Sequence, residues 1–306
     1  MDHAMHDALN GILPVLPTPF TPEGGVDLEA MPKLVRYAID SGVAGVVFPG
    51  FASEVEHLQP DEREALLSEV VKSVDGAIAI VAGASAETPD EVIAHGRVAE
   101  KLGVNWLMIQ PPKSIGNAVE AVTAFFEPIF SALPEVRVIL QNAPAPRGSD
   151  LSAATILEIA QRFPQVAYVK EETLPAGPAI TEILAQKPDT VLGVIGGGGA
   201  RYILDEYARG ACAAMPALEI SGEHVEMDKA WRDGDFAKAR DLYVRTLPLL
   251  TLQAVYRMRL TKHTMIRRGI LENSFVRAPT AALDDHAIAD IDSNLAELGI
   301  IQAAAE

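Results

Sequence analysis

Val166-Ala167-Tyr168-Val169-Lys170-Glu171-Glu172-Thr173 is an apolar run that ends in a lysine and two glutamates. Its length and composition read as a buried strand. An ammonium in that setting is costly unless it is paired or deprotonated. A lysine desolvated in this way is what imine formation with a keto acid needs. The plainer reading is a charge that marks a strand end, and this stretch alone does not separate the two.

Working outward, seven more short apolar runs flank this one: 12–16, 44–48, 77–82, 105–109, 136–140, 191–195 and 212–215. Helix-length segments lie between them, at 28–41, 60–74, 88–103, 117–132, 152–163, 175–187 and 199–209, and another follows at 219–233. Pro60-Asp61-Glu62, Thr88-Pro89-Asp90-Glu91 and Asp150-Leu151-Ser152 are helix-start signals. Gly42, Gly103 and Gly210 sit where helices should end. Strands that are apolar along their whole length indicate a parallel sheet covered on both faces. Eight strand–helix units match a (β/α)8 TIM barrel. A doubly wound nucleotide-binding sheet would carry a glycine fingerprint after its first strand. Pro17-Thr18-Pro19-Phe20 stands there instead. Residues 1–225 are therefore expected to form the barrel. Residues 226–306, helical in pattern and broken at Pro248 and Ala278-Pro279, are expected to form a C-terminal helical region packed on it.

A net charge of -17 argues against nucleic acid or an anionic membrane as partner. No apolar run approaches the roughly 18 residues of a membrane span. The first ten residues lack the basic start and apolar stretch of a signal peptide and read as a frayed terminus. The single cysteine, Cys212, reads as a small core residue, and a chain with one thiol fits a reducing cytoplasm. The seven histidines show no metal-ligand spacing, so neither a metal nor a cofactor is expected.

In such a barrel the site lies at the C-terminal ends of the strands. Tyr168, Lys170 and Glu172 share one strand face by period two, so Glu172 should point where Lys170 does. Their pairing reads equally as a structural ion pair or as the acid–base partner of an imine. Gln141 ends the fifth run and can hydrogen-bond but not exchange a proton. Ala52 and Ser53, in the Gly50-to-Glu54 turn, Thr18, Met215, and Gly197 and Gly198 in the four-glycine run are substrate-binding candidates at other strand ends. The basic stretch Arg257-to-His263 reads as a surface helix or subunit contact, and less readily as an anion site.

Several motifs resemble the dihydrodipicolinate synthase and N-acetylneuraminate lyase family. They are Gly11-to-Phe20, Gly50-to-Glu54, Val81-Ala82-Gly83-Ala84-Ser85, Asn142-x-Pro144 with Asp150-Leu151-Ser152, Val169-Lys170-Glu171 and Gly210-Ala211. The resemblance implies a (β/α)8 barrel with a helical C-terminal region, commonly tetrameric, and makes Lys170 the Schiff-base lysine. Three departures matter. Gln141 stands where the family usually has a proton-relaying tyrosine. Phe51 and Ala52 replace two threonines. Pro146, followed by Arg147, replaces the arginine that synthases use for a dicarboxylate, which argues against synthase activity. With Gln141 unable to take a proton from a C4 hydroxyl, dehydration is favoured over aldol cleavage. Glu172 is the candidate acid and base, and a dry pocket would raise its pKa. The pattern resembles the branch that dehydrates 2-keto-3-deoxy-L-arabonate to 2-oxoglutarate semialdehyde. A pyruvate-releasing aldolase, a hydroxypyrroline-carboxylate deaminase and a catalytically silent keto-acid-binding barrel are the alternatives.

Overall fold

A computed structural model describes residues 8–302. Eight parallel strands, β1 (Gly11–Ile12), β2 (Gly45–Phe48), β3 (Ala79–Gly83), β4 (Trp106–Ile109), β5 (Arg137–Asn142), β6 (Val166–Glu171), β7 (Gly193–Gly196) and β8 (Ala213–Ala214), lie side by side in order around one sheet. Val15 closes the ring by bridging Val47 on one side and Ala217 on the other. This is the (β/α)8 barrel expected from the alternation.

The helices between strands are α1 (Met31–Asp40), α2 (Pro60–Val74), α3 (Pro89–Lys101), α4 (Val119–Ala132), α5 (Ala153–Arg162), α6 (Ala176–Gln186) and α7 (Ile203–Ala208). Their ends follow the local chemistry. Thr88 accepts the Glu91 N–H while Glu91 reaches back to the Thr88 N–H, a reciprocal cap for α3. Ser152 caps α5 through the Thr155 N–H. Gly42, Gly103 and Gly210 have φ of 78, 80 and 99°, the left-handed conformation that stops a helix without a Cβ clash.

Two apolar layers hold the barrel. The layer between strands and helices is continuous, from Ile12 and Val46 through Leu107 and Val169 to Ile203. The barrel interior is filled by Leu13, Val15, Val47, Val81, Trp106, Met108, Ile139, Tyr168, Ile195 and Met215, among others. Tyr168 lies beneath Lys170 by strand alternation. Its ring packs 5.5 Å from Trp106 and its hydroxyl accepts the Leu9 N–H, which plugs the barrel under the site. Cys212 is partly buried beside this layer, its thiol pushed up to about 11 by burial.

After β8 come α8 (Ser221–Arg232), the eighth helix of the alternation, within which residue 225 lies, and then α9 (Phe236–Tyr256), α10 (Met258–Arg267) and α11 (Asp285–Glu297). Pro248 does not break the helical region as expected; it lies inside α9. A proline removes one backbone donor, and the packing of buried Leu249 and Leu250 holds the helix through it. The break falls instead at Arg257, with φ 49° and ψ −123°.

The basic stretch is likewise not a plain surface helix. Lys262 is fully buried and donates to Glu54 Oε1 and to the Phe275 carbonyl, both at 2.6 Å. Glu54 Oε2 in turn accepts the Arg277 and Ala278 N–H groups. Arg277 pairs with Glu62 through both its terminal nitrogens, 2.7 Å each. The turn after β2 is thus tied into the C-terminal helices. Among the described residues no helix is long and apolar enough to cross a membrane.

Candidate active site

β5 and β6 pair in register, Gln141 opposite Lys170. Both side chains point into the barrel with Glu172, and all three are buried, at 5, 4 and 8% exposure. Lys170 Nζ lies 3.0 Å from Glu172 Oε1, and Gln141 Nε2 donates to the same oxygen at 2.8 Å. Met108 Sδ is 4.0 Å from Nζ. The geometry places the Lys170–Glu172 pair on one face, as period two requires.

Arg147, on the loop after β5, donates to Glu172 Oε2. That loop is pinned at both ends. Gln110 Nε2 donates to the Arg147 carbonyl at 3.1 Å, and Ser149 donates to the Pro112 carbonyl at 2.9 Å. Asn142 and Leu151 exchange side-chain and backbone hydrogen bonds across the loop's base. The Arg147 guanidinium also sits 5.1 Å from the Phe51 ring centre. Sequence reading noted Arg147 beside Pro146 but gave it no role in the site, because loop position does not show where a long side chain ends. The one signal available was a lone cation on the loop of a strand whose end already carried Gln141.

Glu172 departs from expectation in its charge. Burial by itself would raise its carboxyl. The Lys170 ammonium and the Arg147 guanidinium, by charge and by hydrogen bonds, outweigh burial and hold it down at about 2. The carboxyl is buried, but two cations touch it, so the resting group is a base and not an acid.

The remaining candidates lie as follows. Thr18 Oγ1 donates to the Ser53 carbonyl at 2.5 Å. Ser53 Oγ donates to the Leu16 carbonyl at 2.5 Å and accepts the Gly50 N–H at 2.9 Å. Both hydroxyls are committed to shaping the turn, so neither has a proton free to donate to a substrate carboxylate. Ala52 is partly buried against the barrel interior, to which Met215 belongs. Gly197 abuts the site directly: a Cβ there would overlap Glu172 Cγ. Gly198 is left-handed, at φ 57°, in the turn that follows. No cluster of three or more His, Cys, Asp or Glu suited to a metal occurs among the described residues.

One anion between two cations leaves the centre net positive inside an acidic chain, a setting for a substrate that carries a carboxylate. An amine at the end of a barrel strand, with a carboxylate in contact, can form an imine and move protons on the carbons beside it.

The family model for the dihydrodipicolinate synthetase family matches residues 8–298. The chain belongs to that family. Among its relatives is 4-hydroxy-tetrahydrodipicolinate synthase of Salinibacter ruber, 29% identical over 248 residues, covering 80% of this chain and 81% of that one. Another is L-2-keto-3-deoxyarabonate dehydratase of Azospirillum brasilense, 29% identical over 262 residues, covering 85% and 84%. The crystal structure of dihydrodipicolinate synthase from Rhodopseudomonas palustris superposes with a TM-score of 0.87 at 25% identity, covering 94% of this chain and 97% of that one. These family likenesses include both a synthase and a dehydratase.

Proposed function

We propose that the protein is a lyase of the Schiff-base type, a hydro-lyase that converts 2-keto-3-deoxy-L-arabonate to 2-oxoglutarate semialdehyde. The observation that carries this reading is Glu172, an ionised base held between Lys170 and Arg147, with a glutamine bonded to it. The dehydratase relative supports the substrate.

In this mechanism Glu172 takes a proton from Lys170, 3.0 Å away, which frees the amine to attack the C2 carbonyl. The protonated Glu172 returns that proton to the adduct's hydroxyl, which leaves as water to give the imine and restores the Glu172 carboxylate. With the amine consumed, the Glu172 carboxylate removes a C3 proton to form the enamine. The protonated Glu172 then delivers that proton to the C4 hydroxyl, which leaves as water. Tautomerisation of the C3–C4 double bond toward C5 gives the aldehyde, and hydrolysis of the imine releases Lys170. Gln141 holds Glu172 Oε1 in place and exchanges no proton. The substrate carboxylate meets this turn at the Ala52 backbone N–H, since the Ser53 N–H is taken by the Gly50 carbonyl at 2.9 Å. Thr18 shapes that turn, Met215 lines the apolar floor, and Gly197 and Gly198 allow close approach of the sugar-acid chain.

A second reading, a pyruvate-releasing aldolase, draws on the synthase relatives and on Glu172 as a base able to reach a hydroxyl. Incubation with 2-keto-3-deoxy-L-arabonate, followed by carbon NMR, separates the two. Semialdehyde is expected; pyruvate with glycolaldehyde establishes the aldolase. Borohydride with substrate should fix an adduct to Lys170 in peptide mass spectrometry, and its absence refutes both. We further propose a cytoplasmic homotetramer with the barrel as one unit and residues 226–306 as its helical appendage; sedimentation tests the assembly.

A further inference from the structure

Two buried carboxyls stand behind the site and take no part in that reaction, Glu171 on β6 and Glu206 on α7. The register of β6 with β7 sets Glu171 opposite Gly196. Glu171 is well provided for, accepting from Asn142 Nδ2 at 2.9 Å and from the Thr173 N–H at 2.7 Å. Glu206 is not. It is 1% exposed, and its Oε2 has no hydrogen-bond partner among the described residues.

Gly196, the last residue of β7, and Gly197, the next one, explain where Glu206 sits. A Cβ on Gly196 would overlap Glu206 Oε2, and a Cβ on Gly197 would overlap Glu172 Cγ. Consecutive strand residues face opposite sides. Glu206 therefore presses on the outer face of the same strand end whose inner face supports Glu172. The peptide between the glycines separates them, and the Gly197 N–H lies near enough to Glu206 to favour its ionised form. Burial above all, then the charges of Glu172, Asp205 and Glu171, push the Glu206 carboxyl up to about 8, against the pull of the Gly197 N–H. The Tyr207 phenol, which donates to Asp228, and the Tyr243 phenol, which donates to the Arg201 carbonyl, lie within reach of its charge. A carboxyl so placed is a neutral acid at neutral pH.

We propose that Glu206 is a positioning residue of this site: as a neutral acid it braces the Gly196–Gly197 peptide on which Glu172 rests, and on ionising it repels Glu172 and displaces it from Lys170. The inference rests on the reading of Glu172 as the base. Like charges that close in a buried setting do not coexist without movement or protonation.

The kinetic test compares wild type with Glu206→Gln, which keeps the shape and an acceptor for Gly197 but cannot ionise. With 2-keto-3-deoxy-L-arabonate, wild-type kcat is expected to fall about tenfold per pH unit above about 8, as loss of one required proton dictates. In Glu206→Gln that fall should move up by at least one pH unit. Superimposable alkaline limbs overturn the proposal. A second arm needs no turnover, so it survives failure of the functional reading. In protein labelled at the glutamate carboxyl carbons, Glu172 is assigned by Glu172→Gln and Glu206 by Glu206→Gln, or by Glu206→Asp should the amide variant not fold. Glu206 should titrate near pH 8 with the Glu172 resonance moving in step. A Glu206 already ionised at pH 7, or a Glu172 resonance blind to it, overturns the proposal.

Discussion

Arg147→Met removes one of the two cations that hold the Glu172 carboxyl down. Against burial, which acts upward, Lys170 and Arg147 bring that carboxyl from 4.5 to about 2. At about 1.4 kcal/mol per pH unit, the gap is worth about 3 kcal/mol to the folded state. The folded pKa lies below the unfolded one, so this stability is complete above about pH 4.5 and is lost as pH falls toward about 2. The two cations offset burial as well as supplying that gap, so Arg147, the weaker of the two charges, contributes at least about 1 kcal/mol. Methionine keeps an unbranched stem beside Phe51 while deleting the charge. The variant should therefore unfold in urea with at least about 1 kcal/mol less free energy at pH 7, the deficit fading only below about pH 4. The acid limb of kcat/KM, where the Glu172 base gains its proton, should rise by about one pH unit. An acid limb that stays in place while KM alone increases would refute the reasoning, since Arg147 would then serve the substrate and not Glu172.

Glu172→Gln should lower dehydration by about 100- to 10,000-fold, the usual contribution of a positioned acid–base group. Borohydride trapping of pyruvate, read by mass spectrometry, should persist in that variant at reduced rate because Lys170 remains. Gly197→Ala places a methyl against Glu172 Cγ, and a φ of −128° there is open to alanine, so the damage should fall on Glu172. Its kcat should drop more than about tenfold while pyruvate trapping continues. Lys262→Met leaves Glu54 buried without its ammonium and should cost about 3–5 kcal/mol in urea unfolding. Adding Glu54→Gln should recover part of that loss, because the amide oxygen still accepts the Arg277 and Ala278 N–H groups. A double variant no more stable than the single one argues against the ion pair as the tie.

The barrel was legible along the chain because its signals are local. Apolar runs such as Val166–Val169 and capping pairs such as Thr88 with Glu91 depend on near neighbours. So do the C-terminal glycines Gly42, Gly103 and Gly210. Strand period put Lys170 and Glu172 on one face for the same reason, and the fifth run's end marked Gln141. Where the local signal was an absence, as with Pro248, it misled. Proline's cost in a helix is a few kcal/mol, which packing on Leu249 and Leu250 overcomes.

The groups that set the site's electrostatics come from far along the chain or from long side chains. Arg147 reaches Glu172 across 25 residues, and Lys262 reaches Glu54 across 208. Glu206 meets Gly196 only because β7 and α7 fold back on one another. Order and pattern along the chain sufficed for the barrel, the strand-end lysine and its neighbouring carboxyl. The charge on that carboxyl waited on folding. Burial and two cations act on Glu172 in opposite directions, and which prevails depends on distances of a few ångströms that no linear spacing encodes.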